Sequence, residues 1–302
     1  MIASTADYLK LHFIVILWGF TAILGLLITI PAVEMVLYRT LLAALGLGVL
    51  ILITKKSFQT EPFDFLKILA TGFIVGIHWI AFFASAKVSN ASVSLVGFAT
   101  GSLWTAFLEP LMGRKRIKLF EVALGLVVII GLYVIFSFDF RYPLGLALGI
   151  ASGFTIALFT VFNSKFVQRV DPYTITFYEM IGAFLCTLLF LPLYKSLWAE
   201  NHQLHLIPTG LDWFYLGILS IVCSVYAYSV GVELLKRLSV FHVQLTSNLE
   251  PIYGIIIALL IFRETEFMQA EFYIGTTIIL GSVIVYPIFK EKFIRNYKDP
   301  DQ

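Results

Sequence analysis

Several ionisable and amide side chains interrupt apolar runs of the sequence that are long enough to cross a lipid bilayer. Arg39, His78 and Glu179 each lie in such a run, and Asn248 and Glu250 lie close together in another. A polar group in the bilayer interior needs a partner or water, so a charge there indicates a substrate path, a proton relay or a structural ion pair. These residues therefore predict a polar path through a membrane protein.

The segment 238–266 concentrates polar groups just before a proline. Asn248 and Glu250 precede Pro251, which has no N–H group and so leaves the carbonyl of Ser247 without its helical partner. Water, a side chain or a substrate must take that carbonyl in the bilayer. The segment is predicted to line a path, with a kink that serves only helix packing as the alternative.

Arg39 is the one basic residue placed well inside a predicted span, about 9 Å below its outer end at about 1.5 Å of rise per residue. It needs a counter-ion, an acidic substrate or room to reach the interface. Glu34 is five positions away and lies on a different helical face, so it is not the natural intrahelical partner. Glu250 from another helix is a candidate partner, either in a structural ion pair or beside a bound substrate.

Aromatic rings surround the histidine of the predicted third helix. His78 and Phe82 share one face at a spacing of four residues, and Trp79 begins the neighbouring face. Such a wall suits either the lumen for an amphipathic metabolite or an aromatic belt at the lipid interface. The titratable imidazole favours the lumen.

The composition excludes an ordinary soluble domain. The 302 residues are 59% hydrophobic and 13% charged, and the mean hydropathy is +0.91, which indicates a polytopic membrane protein. Cys186 and Cys223 lie in apolar runs and suggest neither disulfides nor a metal site. His202 and His205 in the long connection 196–210 lack further ligands, so we predict no metal and no cofactor. Enzyme motifs such as HExxH and GxSxG are absent, and the net charge of +2 gives no indication of nucleic-acid binding.

Ten apolar segments predict ten transmembrane helices in an all-α fold. They lie near 9–29, 33–54, 63–85, 88–112, 117–137, 144–166, 173–195, 211–233, 238–262 and 267–289. With both termini in the cytoplasm, sixteen Lys and Arg residues lie in inner segments and four in outer segments. That bias matches the positive-inside rule, so the sequence predicts a multi-pass protein of the cell (inner) membrane with both termini cytoplasmic.

The chain also resembles itself. A shift of 150 aligns residues 88–136 with 238–286, and Tyr38 with Arg39 corresponds to Tyr178 with Glu179. Five helices per half require the second half to enter the membrane from the opposite side, so residues 1–140 and 141–302 are predicted to be two inverted five-helix repeats, the second with a short cytoplasmic tail. For Glu179, a salt bridge with Lys165 or Arg169 is the structural alternative.

Two polar stripes, on the predicted fourth and ninth helices, imply a central cavity between the halves. The candidate cavity residues are Trp18, Arg39, His78, Trp79, Phe82, Phe98, Glu179, Gln244, Asn248, Glu250 and Tyr253. Trp18 and Trp104 serve equally well as core aromatics. Glycines spaced at GxxxG, at 72 and 76 and at 145, 149 and 153, are predicted to let helices pack closely in lipid.

The stretch TSNLEPIYGIIIALLIFRE at 246–264 resembles EamA-like transporters of the drug/metabolite transporter superfamily. WGFT at 18–21, Pro31 followed by Tyr38 and Arg39, and the two five-helix halves extend the resemblance over nearly the whole chain. It implies an inner-membrane carrier that commonly exports amino acids or related metabolites and holds its substrate in a central cavity. The inverted repeats themselves suit alternating access around such a cavity. If the substrate is an amino acid, Arg39 would bind its carboxylate and Glu250 its ammonium.

Other functions stay open at this point. One is an importer or exchanger of another small metabolite, such as a nucleoside, sugar or drug-like compound, and another is a membrane scaffold or receptor that moves nothing. Protons are a candidate coupling ion through His78 or Glu250. The expected partners are thus a small-molecule substrate and bilayer lipid, and the oligomeric state does not follow from the sequence.

Overall fold

The computed structural model describes residues 3–136, 142–254 and 270–296, and these residues form helices and no strand. The helices are α1 (Thr5–Leu27), α2 (Ala32–Ile53), α3 (Pro62–Val88), α4 (Ala91–Gly113), α5 (Leu119–Phe136), α6 (Pro143–Phe166), α7 (Pro172–Leu197), α8 (Gly210–Leu234), α9 (Val240–Ser247) and α10 (Ala270–Asn296). Within α8, residues Ile221–Tyr228 form a π-helix.

Six of the described helices, namely α1, α2, α3, α6, α7 and α8, are long and apolar enough to cross a membrane. Two shorter apolar stretches lie in α5 and α10, at Leu119–Ile135 and Tyr273–Phe289. The protein is therefore an all-helical, multi-pass membrane protein, while the count of ten spans stays a prediction.

The predicted ninth helix, 238–262, is not continuous over its described part. α9 ends at Ser247, a turn follows at 248–249, and helical structure resumes over 250–254. The missing N–H of Pro251 explains the break, because Ser247 loses the bond that would continue the helix. Residues 255–262 of the prediction lie outside the described residues.

Local sequence explains where several helices begin. Ser4 and Asp7 form a reciprocal capping box at the start of α1, and Thr209 and Asp212 form another before α8. Helices α3, α6 and α7 each start at a proline, whose missing N–H costs nothing in the first turn. These starts set the ends of the spans that carry the site residues.

Close helix crossings join the two parts of the chain through glycines. α4 packs mainly against α6, and α3 packs against α6 and α7. A Cβ added at Gly97 would lie 2.6 Å from Cα of Gly149, and one added at Gly72 would lie 2.8 Å from Cα of Gly182. The predicted close packing through small residues is confirmed for these crossings.

Ion pairs gather at the end of the bundle where α1 and α3 begin. Arg237 pairs with Asp7 at 2.8 Å, and Arg169 pairs with Asp64 at 2.5 Å. The hydrogen bond to Asp64 raises the pKa of Arg169 above its usual value. Each pair joins a residue before 140 to one after it, so both tie the two predicted halves together at this end.

The opposite end is held by different groups. Lys87 Nζ donates to the carbonyls of Ile28 and Ile30 at 3.1 and 2.9 Å. The Asp212 carboxylate accepts from the backbone N–H and the hydroxyl of Thr29, both at 2.7 Å. The long connection between α7 and α8 is tied to α2 here, because Tyr38 donates to the carbonyl of Leu206.

Candidate binding cavity

A cavity of about 80 Å³ lies inside the bundle, between the parts of the chain before and after residue 140. Eight of the predicted cavity residues line it, namely Trp18, Arg39, His78, Trp79, Phe82, Phe98, Gln244 and Glu250. The lining also contains residues that were not predicted, including Thr21, Phe159, Thr160, Asn163, Tyr228 and Ser247.

Arg39 lies across the face of Trp79, with its guanidinium carbon 3.9 Å from the ring centroid. Its Nε donates to Ser224 Oγ at 2.9 Å. The side chain is 3% exposed, yet its two terminal Nη groups have no hydrogen-bond partner among the described residues. Stacking and one hydrogen bond therefore fix the plane of a guanidinium whose remaining donors are available to a ligand.

The π-helix of α8 places the groups that hold Arg39 and Trp18. Ser224 Oγ accepts from Arg39 and donates to the carbonyl of Leu219, five residues earlier, at 3.0 Å. The Cys223 carbonyl accepts from Trp18 Nε1 at 3.3 Å. The wide turn of a π-helix leaves backbone carbonyls free for such side-chain donors, and π segments are frequent at functional sites.

Glu250 reaches the cavity because the chain breaks just before it. The turn at 248–249 separates it from α9, and α1 crosses at Gly19, where an added Cβ would lie 2.8 Å from the Glu250 carbonyl. The side chain is 6% exposed, and its carboxylate has no hydrogen-bond or ion-pair partner among the described residues. Arg39 and Glu250 thus line one cavity without forming an ion pair.

His78 is held in one orientation by α6. Its Nδ1 lies 2.9 Å from the Ser152 carbonyl and 3.0 Å from Ser152 Oγ. Both contacts are to one residue of α6, which fixes the plane of the imidazole. The imidazole contacts Phe82, Phe98 and Phe159, with the closest centroid at 5.3 Å. The predicted aromatic wall therefore faces the cavity.

Gln244 contributes an amide on α9. Its Nε2 donates to Thr160 Oγ1 at 3.0 Å, and that hydroxyl donates to the Ile156 carbonyl at 2.7 Å. The pair joins α9 to α6 at the cavity wall. Gln244 is thus a positioned polar group of the wall.

Glu179 lies behind the cavity lining and not on it. Its Oε2 accepts from Tyr228 at 2.9 Å and from Asn163 at 3.2 Å. The alternative of a salt bridge with Lys165 or Arg169 is wrong, because Lys165 donates to the Met112 carbonyl at 2.9 Å and Arg169 pairs with Asp64.

Two further predicted residues also lie off the cavity lining. Asn248 forms the turn after α9, is 2% exposed, and has no hydrogen-bond partner for Nδ2 among the described residues. Tyr253 lies 2.8 Å from His12 Nδ1 through its hydroxyl, at the crossing of α1 with 250–254. Both residues lie within three positions of Glu250 in the sequence.

A sequence model described as the EamA-like transporter family matches the chain twice, over residues 8–137 and 143–286. The chain belongs to the EamA-like transporter family. This transporter shares its fold with another protein whose crystal structure is solved. The TM-score is 0.76 at 16% identity, and the match covers 96% of this chain and 99% of that chain. No curated protein matches the chain.

Membership of the EamA-like family makes the protein a membrane transporter of small molecules, in contact with bilayer lipid. The resemblance stated from the motifs is confirmed. A transporter of this kind needs a polar site away from the lipid, and the cavity at Arg39 and Glu250 is the candidate for it.

Some lining residues of this EamA-like transporter had no distinguishing sequence signal. Asn163 and Tyr228 belong to no motif, and hydroxyl or amide side chains are common in membrane helices. The repeat match of Glu179 with Arg39 could have directed attention to the polar residues of α6 and α8. Among the described residues, no cluster of His, Cys, Asp and Glu could hold a metal ion.

Proposed function

We propose that this transporter moves amino acids with apolar side chains, or closely related zwitterions, outward by alternating access through the central cavity. The observation that carries the proposal is the pair of opposite charges, Arg39 and Glu250, which line one cavity with unused hydrogen-bonding groups. A zwitterion brings both complementary charges in one molecule.

The electrostatics favour a zwitterion over a singly charged ligand. A carboxylate at the Nη groups of Arg39 makes charge-assisted hydrogen bonds, and an ammonium does the same at Glu250. A simple acid would leave Glu250 uncompensated, and a simple amine would leave Arg39 uncompensated, each at the cost of an unpaired buried charge. The site thus selects for both groups together.

The rest of the wall suits an apolar side chain. Trp18, Trp79, Phe82, Phe98 and Phe159 present rings to the cavity. An apolar side chain therefore suits this wall better than a sugar, whose hydroxyl groups would find few hydrogen-bond partners among the rings.

The architecture supports alternating access. Ten spans arranged as inverted repeats, residues 1–140 and 141–302, would place the cavity at the repeat interface, where the halves can rock around it. The double family match and the cavity walls drawn from both halves favour this arrangement. The charge bias of the connections favours the inner membrane with both termini in the cytoplasm.

Ligands that lack one charge test the proposal. Binding of leucine, leucinol and isocaproate is measured by calorimetry with the purified protein, with Arg39→Ala and with Glu250→Gln. We expect the wild type to prefer leucine over both analogues. Arg39→Ala should lose about 2 kcal/mol, or about thirtyfold, for leucine and none for leucinol, which has no carboxylate.

Glu250→Gln should lose affinity for leucine and none for isocaproate, which has no ammonium. Arg114→Ala and Glu61→Gln, both exposed in the connections, serve as charge-matched controls and should bind all three ligands as the wild type does. Equal binding of leucine and leucinol by the wild type would refute the zwitterion site.

Counterflow separates transport from the alternatives. Proteoliposomes loaded with unlabelled leucine should accumulate labelled leucine transiently, and inside-out and right-side-out vesicles report the direction. Binding without counterflow would favour a scaffold or receptor. Counterflow with a nucleoside or sugar in place of leucine would favour a carrier of another metabolite.

A further inference from the structure

A second buried carboxylate lies next to the cavity and takes no part in the zwitterion site. Glu179 on α7 is 0% exposed. Tyr228 and Asn163, which hold its Oε2, both line the cavity. Its other oxygen, Oε1, is buried without a hydrogen-bond partner among the described residues, and so is Oδ1 of Asn163.

No cation neutralises this carboxylate within the described part of the chain. The titratable group that contacts it is Tyr228 of α8. From the other elements that pack on α7, Arg39 of α2 is stacked on Trp79 and bonded to Ser224, and His78 of α3 is bonded to Ser152. Glu250 faces the same cavity. A bare carboxylate so placed carries a large desolvation cost, and a bound proton removes it.

The donor set favours a proton over a metal ion. Both groups that contact Oε2 donate hydrogens to it, the O–H of Tyr228 and an N–H of Asn163. A sodium ion bound at Oε2 would instead need oxygen lone pairs directed at it. A half-turn of the Asn163 amide exchanges its nitrogen and oxygen. The same side chain can therefore donate to the carboxylate and accept from the carboxylic acid.

We propose that Glu179 is the proton-binding site that couples this transporter to a pH gradient, with Asn163 and Tyr228 linking it to cavity water. When the cavity opens to the more acidic side, a proton from water forms an O–H bond on the carboxylate. When the cavity opens to the other side, that bond breaks and the proton returns to water. This proposal rests on the proposed function, since a proton cycle needs a transported substrate.

Infrared difference spectroscopy tests the proton site without any substrate. Purified wild type and Glu179→Gln are titrated with acid, and the carbonyl stretch of a protonated carboxylic acid is followed. Every carboxylate contributes to this band as it is protonated, so the variants are compared by difference: one component of the wild-type band should be missing in Glu179→Gln and kept in Glu34→Gln. Glu34 is a matched control, because it is also buried but is bonded to the backbone of His205 away from the cavity.

Leucine flux tests the coupling. With one proton per leucine, a gradient of about one pH unit should drive about tenfold accumulation in wild-type and Glu34→Gln proteoliposomes. Glu179→Gln has no ionisable group at this position, so it should lose the gradient-driven accumulation. A carbonyl band that is unchanged in Glu179→Gln, or gradient-driven accumulation that survives in it, would overturn the proton site. So would a sodium requirement that Glu179→Gln abolishes. Absence of leucine counterflow in the wild type would instead refute the proposed function.

Discussion

Arg39 shows how a membrane protein keeps a charged side chain buried and still available. Its guanidinium is stacked on Trp79 and bonded through Nε, so the ring and Ser224 hold its plane, and the residue lines the cavity. Lysine could not reproduce this, because its ammonium group is not planar and cannot stack on the ring. It also lacks the pair of parallel N–H donors with which a guanidinium binds a carboxylate. The position of Arg39 is thus suited to recognition of a carboxylate.

Removal of the stacking ring should weaken leucine binding through loss of this orientation. Trp79→Leu is expected to lose about 1 kcal/mol, or about fivefold in the dissociation constant, whereas Trp79→Phe keeps most of the affinity. Trp198→Leu is the control, because Trp198 is 62% exposed and lies outside the cavity lining. Calorimetry with leucine measures all three, and unchanged affinity in Trp79→Leu would argue that the stack is only structural.

At the scale of single residues, charge and aromatic spacing in apolar runs predicted much of the cavity. Arg39, His78 and Glu250 stand out because each is costly in lipid. Asn163 and Tyr228 do not, because a lone amide or hydroxyl in a membrane helix has many structural uses. Whether the lining residues bind substrate stays a prediction until the ligand series is measured.

Two irregular elements present the polar groups. The π-helix of α8 brings Ser224 and the Cys223 carbonyl to Arg39 and Trp18, and the turn at 248–249 brings Glu250 to the cavity. Pro251 predicted an interruption of the helix near the turn at 248–249. The π-helix could not be predicted, because its extra residue per turn depends on packing against α1 and α2 and not on a local motif.

The crossing of α3 and α7 is the regular element that carries Glu179. At Gly72 an added Cβ would meet the backbone of Gly182 at 2.8 Å, so Gly72→Ala should force the helices apart at a cost of about 1–3 kcal/mol. At Gly217 nothing lies within 4 Å, and Gly217→Ala should be neutral or slightly stabilising.

Thermal unfolding in detergent, followed by tryptophan fluorescence, measures both glycine variants. We expect a lower Tm for Gly72→Ala and an unchanged or higher Tm for Gly217→Ala. Equal Tm values for the two variants would show that the α3–α7 contact is looser than its glycines indicate.

At the scale of the whole molecule, the two ends differ in how they are closed. Arg237 with Asp7 and Arg169 with Asp64 join the halves at one end, and Lys87 and Asp212 bind backbone groups of residues 28–30 at the other. The clustering of Lys and Arg at alternate connections predicted the first end to be cytoplasmic. The partners of those residues could not be predicted, because they come from distant parts of the chain.

Side-specific labelling tests the predicted topology. With Cys186 and Cys223 replaced by alanine, a cysteine is placed at Gln203 or at Lys115, both of which are exposed. A membrane-impermeant maleimide should label Gln203→Cys in intact cells and Lys115→Cys only after permeabilisation. Labelling of both from the same side would exclude the inverted arrangement.

The most direct test of the account is a structure of the protein with leucine bound. The account places the leucine carboxylate at the Nη groups of Arg39, its ammonium at Glu250 and its side chain against the rings of the cavity. Leucine bound elsewhere, or bound here with either charge turned away from these two residues, would contradict it.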